Sequence, residues 1–408
     1  MQKLADLDLP HLPLEDPALA SNPYPYFAAA RAKHPWLATS NIGYIVHEFR
    51  AIRELYDLDD KLRPSFESYI DYLGARETPW GRYTLEMIRS MPDDRHKVMR
   101  AVFDSKFTPR IANQLRTLMR ASMVQLLDEW APKGEFNFEE FVSYYPVSVM
   151  FNVIGAPPQE IAGIRQSLEM LGLALGLGKD AMPQVQEAFL HLERVVVRLI
   201  GERRAEPTSA DDLLNLLIAT EDSGAIGHRQ LVDMLIFLFV AGYDTSKNVL
   251  TFTMYTLLQY PEIYERCAND LDYCAKVVEE SLRYFNPAIS PRHTTANVVF
   301  RDVLIPKDTI ILFALNVSGR DPGTFENPDK FDPERPIEAG KRQVAFGLGK
   351  HMCIGQHIAR VQIQEGLHQI AKRIRNPRLT GKVGWRPFAS TWGLQGLPLA
   401  FTPGPKQP

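Results

Sequence analysis

Apolar and polar positions change their rhythm several times along the chain. Short β-branched or aromatic pieces at 36–40 and 44–46 predict strands, and 48–56 predicts a short helix. Residues 61–92 mix aromatics, glycine and proline without a period, which predicts a long irregular excursion of the kind that often carries function. From Asp93 to Thr251, and on to Phe285, apolar residues recur at three- and four-residue spacing, the mark of helices. Those at 111–130, 183–204 and 227–259 stand out, and Asp211 and Asp212 open another that runs to Thr220. Strand character returns at 298–300, 303–305 and 309–313. A meander rich in Pro, Asp and Gly follows over 319–349, then a closing helix from about Ile354 to Ile374. No repeat or low-complexity linker interrupts this order. The expectation is a mainly α protein with a small β portion, one domain over residues 1–408.

Composition changes this picture little but excludes several classes. Of 408 residues 45% are hydrophobic and 23% charged, enough to enclose a cofactor-sized cavity as well as a core. A net charge of −3, without a basic block, gives no reason to expect nucleic acid or an anionic membrane surface. The longest apolar run, 235–242, is far short of the ~20 residues of a membrane span. The N-terminal MQKLADLDLPHLPLEDP is acidic and broken by proline, unlike a signal peptide. Cys267, Cys274 and Cys353 make no disulfide framework, and the expected location is the cytoplasm.

Candidate chemistry is densest around Phe346-Gly347-Leu348-Gly349-Lys350-His351-Met352-Cys353-Ile354-Gly355. Glycines there permit tight, partly left-handed turns that bring backbone close to a flat ligand. Cys353 falls at the expected start of the closing helix, where the dipole and free N–H groups favour a thiolate and lower a thiol's pKa. Taken alone, such a cysteine is also compatible with an ordinary core residue. Gly347 and Gly349 lack the rest of a dinucleotide fingerprint. Together, Phe346, Gly349, Cys353 and Gly355 resemble the FxxGxxxCxG haem loop of the cytochrome P450 family, with His351 in its commonly basic position. The resemblance implies haem b (iron protoporphyrin IX), with Cys353 as axial ligand of the iron. A thiolate ligand pushes electron density onto iron and favours O–O cleavage.

Three further patterns agree with that family. Glu280-Ser281-Leu282-Arg283 is similar to its ExxR motif, with both charges on one helix face before Pro287, and Phe331 to Arg335 (FDPER) resembles its meander. By resemblance Arg335 joins Glu280 and Arg283 in a buried, structural charge network on the cysteine side of the haem. Ala241-Gly242-Tyr243-Asp244-Thr245-Ser246 interrupts the most apolar helix and fits the family's oxygen groove. On that likeness Gly242 makes room for oxygen, and Asp244 and Thr245 organise water and deliver protons. Read alone, the threonine could simply bond back to its own helix and the aspartate reach solvent. Finally, His96 and Arg100 resemble an HxxxR pair and, with Arg292 and His351, are the expected donors to the haem propionates.

The resemblance runs from about Pro23 to Pro398, strongest over 241–355 and weakest over 61–92. It implies a P450 fold, a helical domain plus a small β-sheet region around a buried haem, most like the soluble bacterial members. The implied activity is monooxygenation, hydroxylation or epoxidation of a hydrophobic small molecule with O2. Substrate classes left open are terpenoid, steroid, fatty acid, polyketide and aromatic. Peroxide-using or rearranging haem-thiolate enzymes are the alternative, and a haem sensor is a further one. The chain carries no flavin or iron–sulfur module, so ferredoxin with its reductase, or a flavodoxin-type donor, is the expected electron source. Substrate contacts are expected from 61–91, 167–191, 237–245, 287–291 and 391–394, rich in Phe66, Tyr69, Tyr72, Trp80, Phe237, Ile289 and Trp392. Phe237, Ala241, Ile289 and Trp392 are the pocket candidates, and the glycine-rich 171–178 is an expected lid. Arg76 or Arg82 could anchor a carboxylate or be solvated surface charges.

Overall fold

A computed structural model of the chain describes residues 2–58, 60–91, 93–176 and 178–406. Pro92, at the end of the expected excursion, and Leu177, inside the expected lid, lie outside the described residues, as do the outermost positions of the expected domain. The 30-residue helix His228–Leu257 runs through the helical body. Its first half is apolar on nearly every side, as a helix surrounded by others must be. It packs most extensively on Phe138–Ile154, and also on Ile161–Leu173, Met182–Ala205 and the closing helix Gln356–Arg373. Asn137 caps the Phe138–Ile154 helix by accepting from the Glu139 amide at 3.2 Å.

A five-stranded sheet stands beside the helices in the spatial order Leu37–Ser40, Gly43–Val46, Ile310–Phe313, Ser290–Thr294, Leu62–Pro64. Its register sets Arg292 opposite Ile311 on one side and Pro64 on the other. Gln2–Lys3, Val303–Ile305 and Val298–Phe300 form a second sheet; Ile374–Leu379, Pro398–Pro403 and Glu135–Asn137 form a third. The larger apolar core lies among the helices, and a smaller one wraps the main sheet and the Phe49–Tyr56 helix.

Mainly α with a small β portion is therefore what forms, with four corrections. Residues 61–92 are not irregular: they hold the Leu62–Pro64 strand, the helices Glu67–Leu73 and Pro79–Glu86, and a 3-10 turn, Ile88–Ser90. These pieces are too short to show a period, though Thr78-Pro79 is a start signal, the Thr78 hydroxyl accepting from the Gly81 amide at 3.1 Å. The helix expected over 111–130 breaks at Leu115 into Pro109–Gln114 and Arg116–Trp130. Strands Ser290–Thr294, Ile374–Leu379 and Pro398–Pro403 were not expected, because each contains proline, which reads against a strand. Cys267 and Cys274, whose seven-residue spacing reads as one helix, sit on separate helices, Pro261–Asn269 and Leu271–Tyr284.

Candidate active site

The Cys353 loop is held by backbone bonds. Gly347 and Gly349 adopt φ values of 70° and 69°, a region that a side chain would strain. Their turns allow the Gly347 amide to reach Val344 O at 2.9 Å and the Cys353 amide to reach Phe346 O at 2.8 Å. Arg360 lies over the Phe346 ring at 4.4 Å, and Arg100 donates to the Met352 carbonyl at 2.6 Å. The closing helix begins only at Gln356, with Gly355 as its cap, so Cys353 precedes the first turn. The Gly355 amide and the cations Arg89, Arg100 and Arg360 favour the thiolate, but burial outweighs them and pushes the thiol's pKa up, not down as expected. Cys353 nevertheless keeps accessible surface. Both properties together belong to a side chain that lines an enclosed cleft.

Four other expected residues gather near it. The rings of His96 and His351 lie 4.0 Å apart. Burial, then the neighbouring His96, Arg292, Lys350 and Arg89, push the His351 pKa down to about 2, so it is a neutral ring with one N–H to give. Both its nitrogens are buried with no hydrogen-bond partner among the described residues. Arg292 is buried and lies over the Tyr56 ring at 4.9 Å. A carboxylate-bearing planar group with a thiolate-seeking metal fits this donor set: one cysteine, two arginines and two histidines.

The ExxR pair is a two-pronged contact, Arg283 Nε to Glu280 Oε2 at 2.7 Å and Nη2 to Oε1 at 2.6 Å. Arg335 Nε stands 3.5 Å from Glu280 Oε1. Arg283 also donates to the carbonyls of Gly319, Pro328 and Lys330, and Arg335 to those of Glu326, Asn327 and Lys330. The network thus fixes the meander that leads to the cysteine loop.

On the long helix, Phe237, Val240, Ala241 and Thr245 form the less buried stripe, four- and three-residue steps along one face. Thr245 is exposed between Asp244 and Ser246, which are 2% and 4% exposed. Its hydroxyl donates to Ala241 O at 3.0 Å, leaving lone pairs that can accept from the open side. Asp244 does not join it. About 100° round the helix, the Asp244 carboxylate pairs with Arg386 and stands 3.6 Å from Lys247. Lys247 also binds Glu139 at 2.7 Å and Glu169, and Arg386 lies 3.8 Å from Glu169. Burial raises the Glu169 pKa, but Lys247 and Arg386 outweigh it and hold the carboxyl below its ordinary value. The room left by Gly242 is taken as well: a Cβ there would meet Met150 Cγ at 2.6 Å, so the glycine lets two helices approach rather than opening a groove.

Ile289 and Ala241 are half-buried, as pocket walls would be, but Trp392 is fully buried, packed against Phe252 and Phe388 and bonded to Ala20 O at 2.8 Å. Trp392 is core. So are Tyr69 and Trp80, while Tyr72 faces outward at 51% exposure. Arg76 pairs with Asp71 on the surface and Arg82 donates to Glu77 O, so neither enters the cleft. Residues missed from the sequence are Lys247, Arg386, Glu139 and Glu169, and Arg89. Lys247 had one signal, a lysine inside an apolar helical run, and it is 0% exposed.

A family model described as Cytochrome P450 matches residues 165–375, more than half of the chain. The chain belongs to the cytochrome P450 family. Among curated relatives, this P450 is 29% identical to luteothin monooxygenase of Streptomyces thioluteus over 97% of this chain and 96% of that one. It is 30% identical to cytochrome P450 107B1 of Saccharopolyspora erythraea over 77% and 76%. Among solved structures, CalO2 superposes with a TM-score of 0.85 at 22% identity, covering 96% of this chain and 98% of CalO2. Cytochrome P450 CYP109Q5 from Chondromyces apiculatus gives 0.83 at 25% identity, covering 97% and 99%. The protein is accordingly a P450 monooxygenase, an oxidoreductase that works through haem iron, with the P450 fold. No helix among the described residues is long and apolar enough to cross a membrane.

Proposed function

We propose that Cys353 is the axial ligand of a haem b whose propionates are held by His96, Arg100, Arg292 and His351. The observation that carries this is Cys353, the accessible one of the three cysteines, beside a His351 whose two ring nitrogens are buried without hydrogen-bond partners among the described residues. When bound, haem supplies the iron at which O2 is activated with two delivered electrons. The chain's own part is to hold and shield. Glu280, Arg283 and Arg335 fix the loop; Phe237, Ala241 and Ile289 offer an apolar wall to a hydrophobic small molecule, whether terpenoid, steroid, fatty acid, polyketide or aromatic. Electrons come from a ferredoxin with its reductase or a flavodoxin-type protein, in the cytoplasm. One domain over 1–408 is part of this reading, supported by terminal strands that pair with interior ones, Gln2–Lys3 with Val303–Ile305 and Pro398–Pro403 with Glu135–Asn137.

Proton supply falls to Thr245 first. Its hydroxyl donates to Ala241 O, so its oxygen can accept one hydrogen of a water and leave that water's other hydrogen free to point into the cleft. Asp244 contributes from behind: its carboxylate is tied to Arg386, and that pair must open before it can exchange a proton with solvent on Thr245's side. Thr245→Ala removes the hydroxyl while leaving the cysteine loop intact. Product formed per NAD(P)H should fall and released hydrogen peroxide rise, while peroxide-driven turnover suffers much less. An unchanged product yield per NAD(P)H would show that Thr245 is only a helix residue bonded to Ala241.

A further inference from the structure

The Phe49–Tyr56 helix turns Phe49, Ile52 and Tyr56 into the smaller core, steps of three and four residues along one face. Its start is held by the Phe49 amide, which donates to Asp321 Oδ2 at 2.8 Å. At its end the Tyr56 ring meets Phe313 of the main sheet edge-on, with centroids 5.0 Å apart. The antiparallel register sets Ser290 opposite Phe313 and Arg292 opposite Ile311, so Arg292 and Phe313 are diagonal neighbours on one face of the sheet. The Arg292 guanidinium accordingly lies over both rings, 4.9 Å from the centroid of Tyr56 and 5.8 Å from that of Phe313.

The far end of Tyr56 reaches the cysteine loop. A Cβ built on Gly347 would stand 3.1 Å from the Tyr56 hydroxyl oxygen. Tyr56 therefore lies with its ring beside Arg292 and its hydroxyl at the turn that leads to His351 and Cys353. The side chain is buried, and its hydroxyl makes no hydrogen bond among the described residues. Buried tyrosines normally find an acceptor. Tyr145 donates to Gln362 O at 2.9 Å, Tyr243 to Glu169 at 3.0 Å and Tyr264 to Ile374 O at 2.8 Å. Tyr69 and Tyr83 lack one too, so the missing bond alone assigns nothing. Tyr56 differs in what stands beside it. An acceptor at its hydroxyl would have the Arg292 guanidinium as a neighbour, which favours an anionic oxygen over a neutral one.

We infer that Tyr56 is a further haem-holding residue, its hydroxyl donating to the propionate that Arg292 also holds. This rests on the reading of the cleft as a haem chamber built around Cys353. Tyr56→Phe removes the hydroxyl alone and keeps the ring against Phe313 and Arg292, so the urea-denaturation midpoint should stay at the wild-type value. Two measurements on purified holoprotein then test the bond. Haem transfer to an excess of a haem-scavenging apoprotein should be about threefold to tenfold faster in Tyr56→Phe, as the loss of one hydrogen bond predicts. The propionate-bending band in the resonance Raman spectrum should shift, because the carboxylate has lost a donor. An unchanged release rate would overturn the proposal. So would faster release with an unmoved propionate band, which would make the hydroxyl a brace for the Gly347 turn. The band is read from bound haem alone, so it decides even if the variant is less stable. A wild type without the thiolate carbonyl band would instead defeat the reading of the cleft itself.

Discussion

On the cysteine side of the cleft the charges of the ExxR network are bonded to other protein groups. Glu280 and Arg283 are 5% and 4% exposed in their side chains, and their remaining donors and acceptors go to backbone carbonyls and to the Asp332 amide. On the long-helix side the pattern is split. Asp244 and Lys247 are sealed into a cluster with Arg386, Glu139 and Glu169, while Thr245, one step along the chain, is open. Multiple pairing gives a rigid support, although Asp244 Oδ2, Arg386 Nε and Nη2 and Arg335 Nε have no hydrogen-bond partner among the described residues. Leaving Thr245 and His351 with unused hydrogen-bonding capacity gives a surface that can meet ligands. Within one molecule, the ion-paired charges act as architecture, and the groups that stay open beside Cys353 are placed to meet ligands.

The sharpest way to break this comparison is to unpair the support. Glu280→Ala leaves Arg283 buried without its carboxylate and should cost about 3–5 kcal/mol, read as a fall in urea-denaturation stability and in the yield of haem-bound protein. Glu334→Ala removes a surface partner of Lys276, both about half exposed, and should leave the denaturation midpoint nearly unchanged. Similar losses in the two variants would erase the distinction between support and surface.

Next in size is the haem end of the cleft. Arg100→Ala deletes one charge-assisted donor as well as the bond to Met352 O, and should speed haem release about tenfold or more without abolishing binding. Release at the wild-type rate would place Arg100 among the supports rather than the ligand contacts.

A pH-dependent effect concerns Asp233 near the start of the long helix. Burial, partly offset by Arg229, raises its pKa from 3.8 to about 6. The folded state thus binds this proton more tightly than the unfolded state. Its stabilising contribution is full below pH 3.8 and is lost as pH rises through about 6. Asp233→Asn should therefore gain stability relative to wild type across that window and differ little in slope above it, as read by denaturation midpoints at several pH values. Parallel pH profiles would mean that Arg229 holds the carboxyl ionised throughout.

The cysteine side was the more legible half in the sequence, for a physical reason. The ExxR spacing is a helix periodicity, and the glycines of 346–355 mark positive φ directly, so local geometry and sequence pattern coincide there. On the long helix the local pattern identified Thr245 and its turn. It did not show that Asp244 points elsewhere, because Arg386 is 142 positions away and only the fold brings it in. The aromatics of 61–92, and Trp392, misled in the same way. Tyr69, Trp80 and Trp392 look like pocket residues in a list, yet their faces are decided by short helices and core packing without periodicity.

All of these contrasts depend on Cys353 being the residue that the cleft is built around. The ferrous carbonyl spectrum of the purified protein tests that most directly. Wild type, Cys267→Ala and Cys274→Ala should all show the strongly red-shifted band of a thiolate-ligated haem, and Cys353→Ala should lose it. A band that persists in Cys353→Ala, or disappears in Cys267→Ala or Cys274→Ala, would contradict the assignment.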